Sequence, residues 1–278
     1  MTMLAITPKR MMNWVKSAPT LLLGAVSQVA LAADESTPVL NTGDTAWVLI
    51  STTLVLLMTV PGLALFYSGM VRKKNILGTM AHSFGATAIV SVVWILVGYS
   101  LAFSEGSFNS FIGGFDNVLL DNIEINALTG TIPTLLFVVF QMMFAIITVA
   151  ILAGAFAERI KFGSFMLFSA IWLVLVYAPV CHWVWGNGWL MADGAMDFAG
   201  GTVIHINAGM AGLVMAYVLG KRRGYGRESM APANLALTLI GTGLVWVGWF
   251  GFNGGSALGA NGSAAYALVT TQIAAAAA

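Results

Sequence analysis

Six apolar runs of helix length, at about 45–71, 79–103, 130–157, 162–183, 199–220 and 234–254, are separated by loops whose charge alternates. Arg72, Lys73 and Lys74 follow the first run, Arg159 and Lys161 separate the third from the fourth, and Lys221, Arg222, Arg223 and Arg227 follow the fifth. The intervening loops hold Glu105, Asp116, Asp121, Glu124 and Asp193, with no Lys or Arg. A helix needs about 20 apolar residues to cross the hydrocarbon layer, and lipid admits no spanning form but helices and closed barrels. Basic loops gather on the cytoplasmic side, so the alternation sets both the number of crossings and their direction. Basic residues that merely solvate loops would not alternate strictly over six runs. With 8% charged residues, against about 25% in soluble domains, the expected fold class is an all-α polytopic membrane protein.

Composition closes off other classes. A net charge of +1 offers no basic field for nucleic acid. The lone Cys181 has no thiol partner for a disulfide, redox pair or zinc site, and the ionisable residues do not cluster. No metal or cofactor is expected.

Both ends of the chain carry expectations of their own. Lys9, Arg10 and Lys16 precede a short apolar stretch, from about 20 to 32, that ends Ala30-Leu31-Ala32. That order is the order of a secretory signal peptide, and residues 1–32 are expected to be one, cleaved near Ala32 or Ala33. An uncleaved first helix is the alternative, weakened by Ser27 and Gln28. Cleavage would leave Asp34-Glu35 outside, in agreement with the loops. The last apolar run, from about 263 onward, is short for a span and ends in five alanines.

An internal match links the first and sixth runs. Gly62, Phe66, Gly69 and Asn75 correspond to Gly248, Phe252, Gly255 and Asn261 at one offset of 186 residues. Five crossings lie within that offset, an odd number, so the two copies would run in opposite directions. That is an inverted-topology repeat, whose substrate path lies between the halves. The second copy would then be incomplete, and residues 45–278 would form a domain that stops short at its C-terminal end. A small, complete protein of six or seven spans is the alternative.

Against this apolar background, ionisable residues at membrane depth are candidate functional groups. Asp197-Phe-Ala-Gly-Gly-Thr-Val-Ile-His205-Ile-Asn207 sets a carboxylate and an imidazole eight residues apart. On one helix they would lie about 80° apart around the axis and about 12 Å apart along it. In a soluble protein His205 would more often be a core histidine satisfied by a neighbour. Phe140 and Phe144 share a helix face, which alone indicates core packing. His182-Trp-Val-Trp185-Gly-Asn-Gly-Trp189 fits an interfacial aromatic belt, though a Trp face can also hold a cation. The glycines of Gly248-Trp-Phe-Gly-Phe-Asn253-Gly-Gly255-Ser256 suit close helix packing, which leaves Phe252 and Ser256 unexplained.

These segments, with Pro61-Gly-Leu-Ala-Leu-Phe-Tyr67 and Gly154-Ala-Phe-Ala-Glu-Arg159, resemble the ammonium transporter family (Amt/Mep/Rh) from about Asp44 onward, with bacterial Amt proteins nearest. The resemblance implies a fold of five plus five helices, of which only the first repeat and the start of the second lie in this chain. It implies that Phe144, Trp185 and Ser256 bind ammonium at an outer site, and that Phe144 and Phe252 are stacked gate rings. It further implies that His205 lines the pore and that Asp197 gives structural or electrostatic support. Tyr67 and Gln141 match positions near the path. The family also implies a homotrimer in the bacterial inner membrane, a periplasmic mature N-terminus and, for the full-length protein, a PII-type regulator. The activity implied is ammonium or ammonia transport rather than an enzyme's. Three other readings compete: an ammonium sensor, a non-functional fragment, and an intramembrane serine protease built on Gly254-Gly255-Ser256. The last lacks any histidine after Ser256 to act as its base.

Overall fold

Each apolar run becomes a helix, and asparagine starts three of them. The computed structural model describes residues 39–278, so the expected signal segment at 1–32 lies outside the described residues. The helices are α1 (Thr42–Met70), α2 (Lys73–Phe103), α3 (Thr134–Phe156), α4 (Phe162–Ala192), α5 (Gly201–Leu219) and α6 (Leu235–Gly255). All six are long and apolar enough to cross a membrane. A shorter helix, α7 (Gly262–Ala277), follows. The side chains of Asn41, Asn234 and Asn261 accept backbone N–H groups in the first turns of α1, α6 and α7. This is the ordinary way to satisfy donors that a helix start leaves free. Pro61 lacks an N–H, and α1 is interrupted at Val60, whose φ of −133° is extended. A two-residue hairpin, Leu128–Thr129 with Ile132–Pro133, leads into α3.

α3 is the axis of the bundle. It is buried around most of its circumference, with α1, α2 and α5 packed on it. The outward sides of α2 and α4 expose Leu77, Phe84, Val92, Leu167, Ile171 and Leu175, as a lipid-facing surface should.

α1 and α6 pack antiparallel through glycines. A Cβ on Gly62 would press on Val245, one on Gly248 on Met58, one on Gly69 on Thr238, and one on Gly255 on Ser51. The approach is symmetric under the 186-residue offset to within one residue: Gly62 against Val245 is imaged by Gly248 against Met58, next to Thr59, and Gly69 against Thr238 by Gly255 against Ser51, next to Thr52. Such a self-complementary contact is what a pseudo-two-fold axis between inverted copies requires. In lipid no hydrophobic force drives helices together, so this close backbone approach is the attractive term.

The two ends of the bundle are fastened differently. At the basic end the Glu158 carboxylate, fully buried, accepts hydrogen bonds from the Arg72 backbone N–H and Nε and from Asn75 Nδ2, and Arg222 lies 3.5 Å away. Arg72 also pairs with Glu228 at 2.9 Å. One cluster thus joins all three basic loops, which places them on the same face. At the opposite end His182 is buried between the carbonyls of Ala102 and Asn109. Asp44 there accepts from Thr131 and from the Ala260 backbone.

Candidate functional site

Asp197 organises the outer site from a position before the helix, not within it. One carboxylate oxygen accepts the backbone N–H groups of Gly200 and Gly201 at 2.6 and 2.8 Å. The other accepts those of Thr202 and Val203 at 2.8 and 3.0 Å. Four donors at the start of α5 are therefore satisfied by one anion, which the positive end of the helix also favours. Gly200, at φ +97°, turns the chain into this arrangement, and a Cβ there would strike Ile204. The single continuous helix through Asp197 and His205, expected from their spacing, is thus broken at Gly200. The 80° relation does not apply.

The loop so fixed holds a tryptophan in turn. Trp185 Nε1 donates to the Asp197 carbonyl at 2.8 Å. Its ring meets the edge of Phe144 at 5.9 Å between centroids, and Phe144 meets Phe252 at 4.7 Å. Phe252 lies 5.9 Å from the His205 ring. Trp185, Phe144, Phe252 and His205 therefore form one aromatic column drawn from α4, α3, α6 and α5. Phe144 and Phe252 are each 1% exposed. A cavity of about 500 Å³ opens above the pair, lined by Trp185, Phe144, Gln141, Asp197 and Ser256 among others. Ser256 donates its hydroxyl to the Phe252 carbonyl at 2.8 Å and keeps lone pairs for a donor from the cavity.

His205 is exposed, on the same face of α5 as Ile206, Met210, Leu213 and Tyr217. Its Nδ1 lies 3.1 Å from the Gly200 carbonyl, which accepts, so Nε2 is left with a free lone pair. A second cavity, of about 400 Å³, lies at the basic end between Tyr67, Arg159 and Arg222, with Tyr67 Oη donating to the Ile151 carbonyl. No group of metal-ligating side chains occurs among the described residues.

The structure brings together every residue singled out from the sequence for the outer site, and it assigns His182 to packing. Sequence reasoning passed over Glu158. Burial alone would raise its pKa, but the hydrogen bonds from Arg72 and Asn75, with the Arg72 charge, outweigh that and lower it to about 2. An acid beside Arg159 in the short basic loop between α3 and α4 was the signal.

Fold and site together define a polytopic membrane protein with an aromatic-floored cavity on one face, carrying a few polar groups, and a histidine on a membrane-crossing helix beneath it. The chain belongs to the Ammonium Transporter Family, whose model matches residues 46–278. It is 52% identical to an ammonium transporter of Aquifex aeolicus, over 91% of this chain and 59% of that protein. Identity is 54% to one of Bacillus subtilis, over 84% of this chain and 57% of that protein. Among solved structures, Candida albicans Mep2 superposes with a TM-score of 0.77 at 37% identity, covering 85% of this chain and 53% of Mep2. A protein described as a sensor Amt protein gives 0.77 at 30% identity, covering 84% of this chain and 59% of that one. The chain thus spans between half and three-fifths of the length of these relatives. The family is one of transporters rather than enzymes.

Proposed function

We propose that this chain supplies the outer mouth and one pore wall of a pathway for ammonium or ammonia. The observation that carries the proposal is the unbroken contact from Trp185 through Phe144 and Phe252 to His205, with the cavity on top. Ammonium is costly to strip of water. The ring faces of Trp185 and Phe144 compensate by cation–π attraction, and the Ser256 hydroxyl accepts one N–H. Phe144 and Phe252 then act as the gate. Below it an apolar path disfavours the charged form, so ammonium returns its proton to water at the outer mouth and neutral ammonia continues past Nε2 of His205. Asp197 is a positioning residue here: its carboxylate is occupied by backbone donors, and its carbonyl holds Trp185.

The exposed face of α5 is where the remaining second repeat would pack and close the path. In that setting we place the basic loops in the cytoplasm and the mature N-terminus in the periplasm of a bacterial inner membrane, after cleavage of residues 1–32. A homotrimer with one path per subunit, and a PII-type regulator at the basic face, complete the proposal. The sensor reading is not favoured, since likeness to the sensor Amt protein reflects a fold shared with the named transporters.

The test is uptake of labelled methylammonium by cells expressing the chain, with and without a co-expressed second half. Uptake should require the second half and fall in Phe252→Ala and His205→Ala. Robust, His205-dependent uptake by this chain alone would overturn the view that it forms one wall only.

A further inference from the structure

We infer that Gln141 is the fourth acceptor of the outer cation site and the residue that selects N–H donors over spherical cations; this rests on the recruitment reading above. Gln141 lies on α3 three residues before Phe144, about 60° round the helix and about 4.5 Å along it. It lines the same cavity as Trp185, Phe144, Asp197 and Ser256. Gln141 is 8% exposed, and its Oε1 is buried with no hydrogen-bond partner. An amide oxygen left in that state is unfavourable, because it has lost water and gained no donor. We take the amide turned over, its oxygen and nitrogen exchanged, so that the end of Gln141 lining the cavity is the acceptor.

The other polar side chains around the cavity are committed, the Thr129 hydroxyl to that of Thr134 at 3.0 Å. Both oxygens of Asp197 take two backbone N–H groups each. The hydroxyl hydrogen of Ser256 goes to the Phe252 carbonyl, leaving only acceptor capacity. Ammonium has four N–H bonds to satisfy. The faces of Trp185 and Phe144 accept two, Ser256 a third, and Gln141 the fourth, so donor and acceptor numbers match. A spherical cation fares worse, because two oxygens and two rings replace little of its hydration shell. Gln141 thereby supplies direction where the rings supply only attraction.

Binding of labelled methylammonium to the purified chain in nanodiscs, displaced by ammonium or by rubidium, separates the outcomes. Gln141→Leu is expected to weaken displacement by ammonium about tenfold and by rubidium less than twofold, the loss of one hydrogen bond to a charged donor. Equal weakening of both, or no change, would overturn the inference. Gln141→Glu keeps the acceptor and the shape, and should bind ammonium at least as tightly as the wild type; weaker binding counts against Gln141 even if the leucine variant does not fold. Trp185→Leu and Ser256→Ala test the parent reading separately. If both abolish binding while Gln141→Leu leaves it intact, only the fourth-acceptor inference fails. Binding indifferent to Trp185 and Ser256, or absent from the wild-type chain, would overturn both.

Discussion

Phe144 and His205 stand two ring contacts apart in the same column, yet they differ in almost every physical respect. Phe144 packs against Phe140, Trp185 and Phe252, turns the little of its ring that is left open to the cavity, and projects from the most buried helix. His205 is tied to its own backbone through Gly200 and is otherwise exposed on α5. The upper part of the column is therefore finished within this chain and the lower part is not. Packing of the upper rings does not depend on the surroundings of His205, since Trp185, Phe144 and Phe252 come from α4, α3 and α6.

That contrast can be broken by substitution. Phe144→Ala should have the largest effect, a loss of about 3–5 kcal/mol in unfolding free energy measured with denaturant in detergent. A loss under 1 kcal/mol would mean the upper column is not sealed. Asp197→Ala comes next. Removing the cap should destabilise α5 by about 2 kcal/mol and shift Trp185 emission to the red as its indole loses its anchor. Asp197→Asn should retain part of both, since one oxygen still accepts.

A third test concerns what keeps the open part in register. The Glu158 carboxylate has a folded pKa of about 2 against an ordinary 4.5, so its contribution is complete above about pH 4.5 and is lost as pH falls towards 2. Thermal stability should drop across that window, and Glu158→Gln should flatten the drop. An unchanged acid profile in that variant would mean that other carboxylates govern it. His205→Ala should be the mildest, within about 0.5 kcal/mol of the wild type in stability, as for other exposed positions. A large destabilisation would show that the lower column is packed after all.

The crossings were legible because lipid imposes two strong rules, on length and on the side of basic loops. Helix ends fell within a few residues of the apolar runs, apart from α4, which extends to Ala192, and α2, which begins at Lys73. The residues proposed for the outer site were singled out through family motifs rather than through physics, since Phe140–Phe144 by itself reads as core. Three details were hidden from the sequence. Asp197 and His205 have helical spacing, and only the left-handed Gly200 shows that the helix starts between them. Glu158 gains its role from Arg72 and Asn75, more than 80 residues earlier in the chain. Gln141 lay in an apolar helix, where its orphaned oxygen is visible only once the neighbours are in place.

The mirrored glycines of α1 and α6 also constrain how such a sequence can drift. The two helices act as a beam resting on paired supports, so a larger residue at Gly69 would lever the crossing and lift Gly255 from Ser51 at the far support. After a duplication the side chains of the copies are free to diverge, whereas the spacing they share is not. Substitutions at one end of this crossing should therefore be accompanied, across lineages, by compensating ones at the other, between residues that never touch.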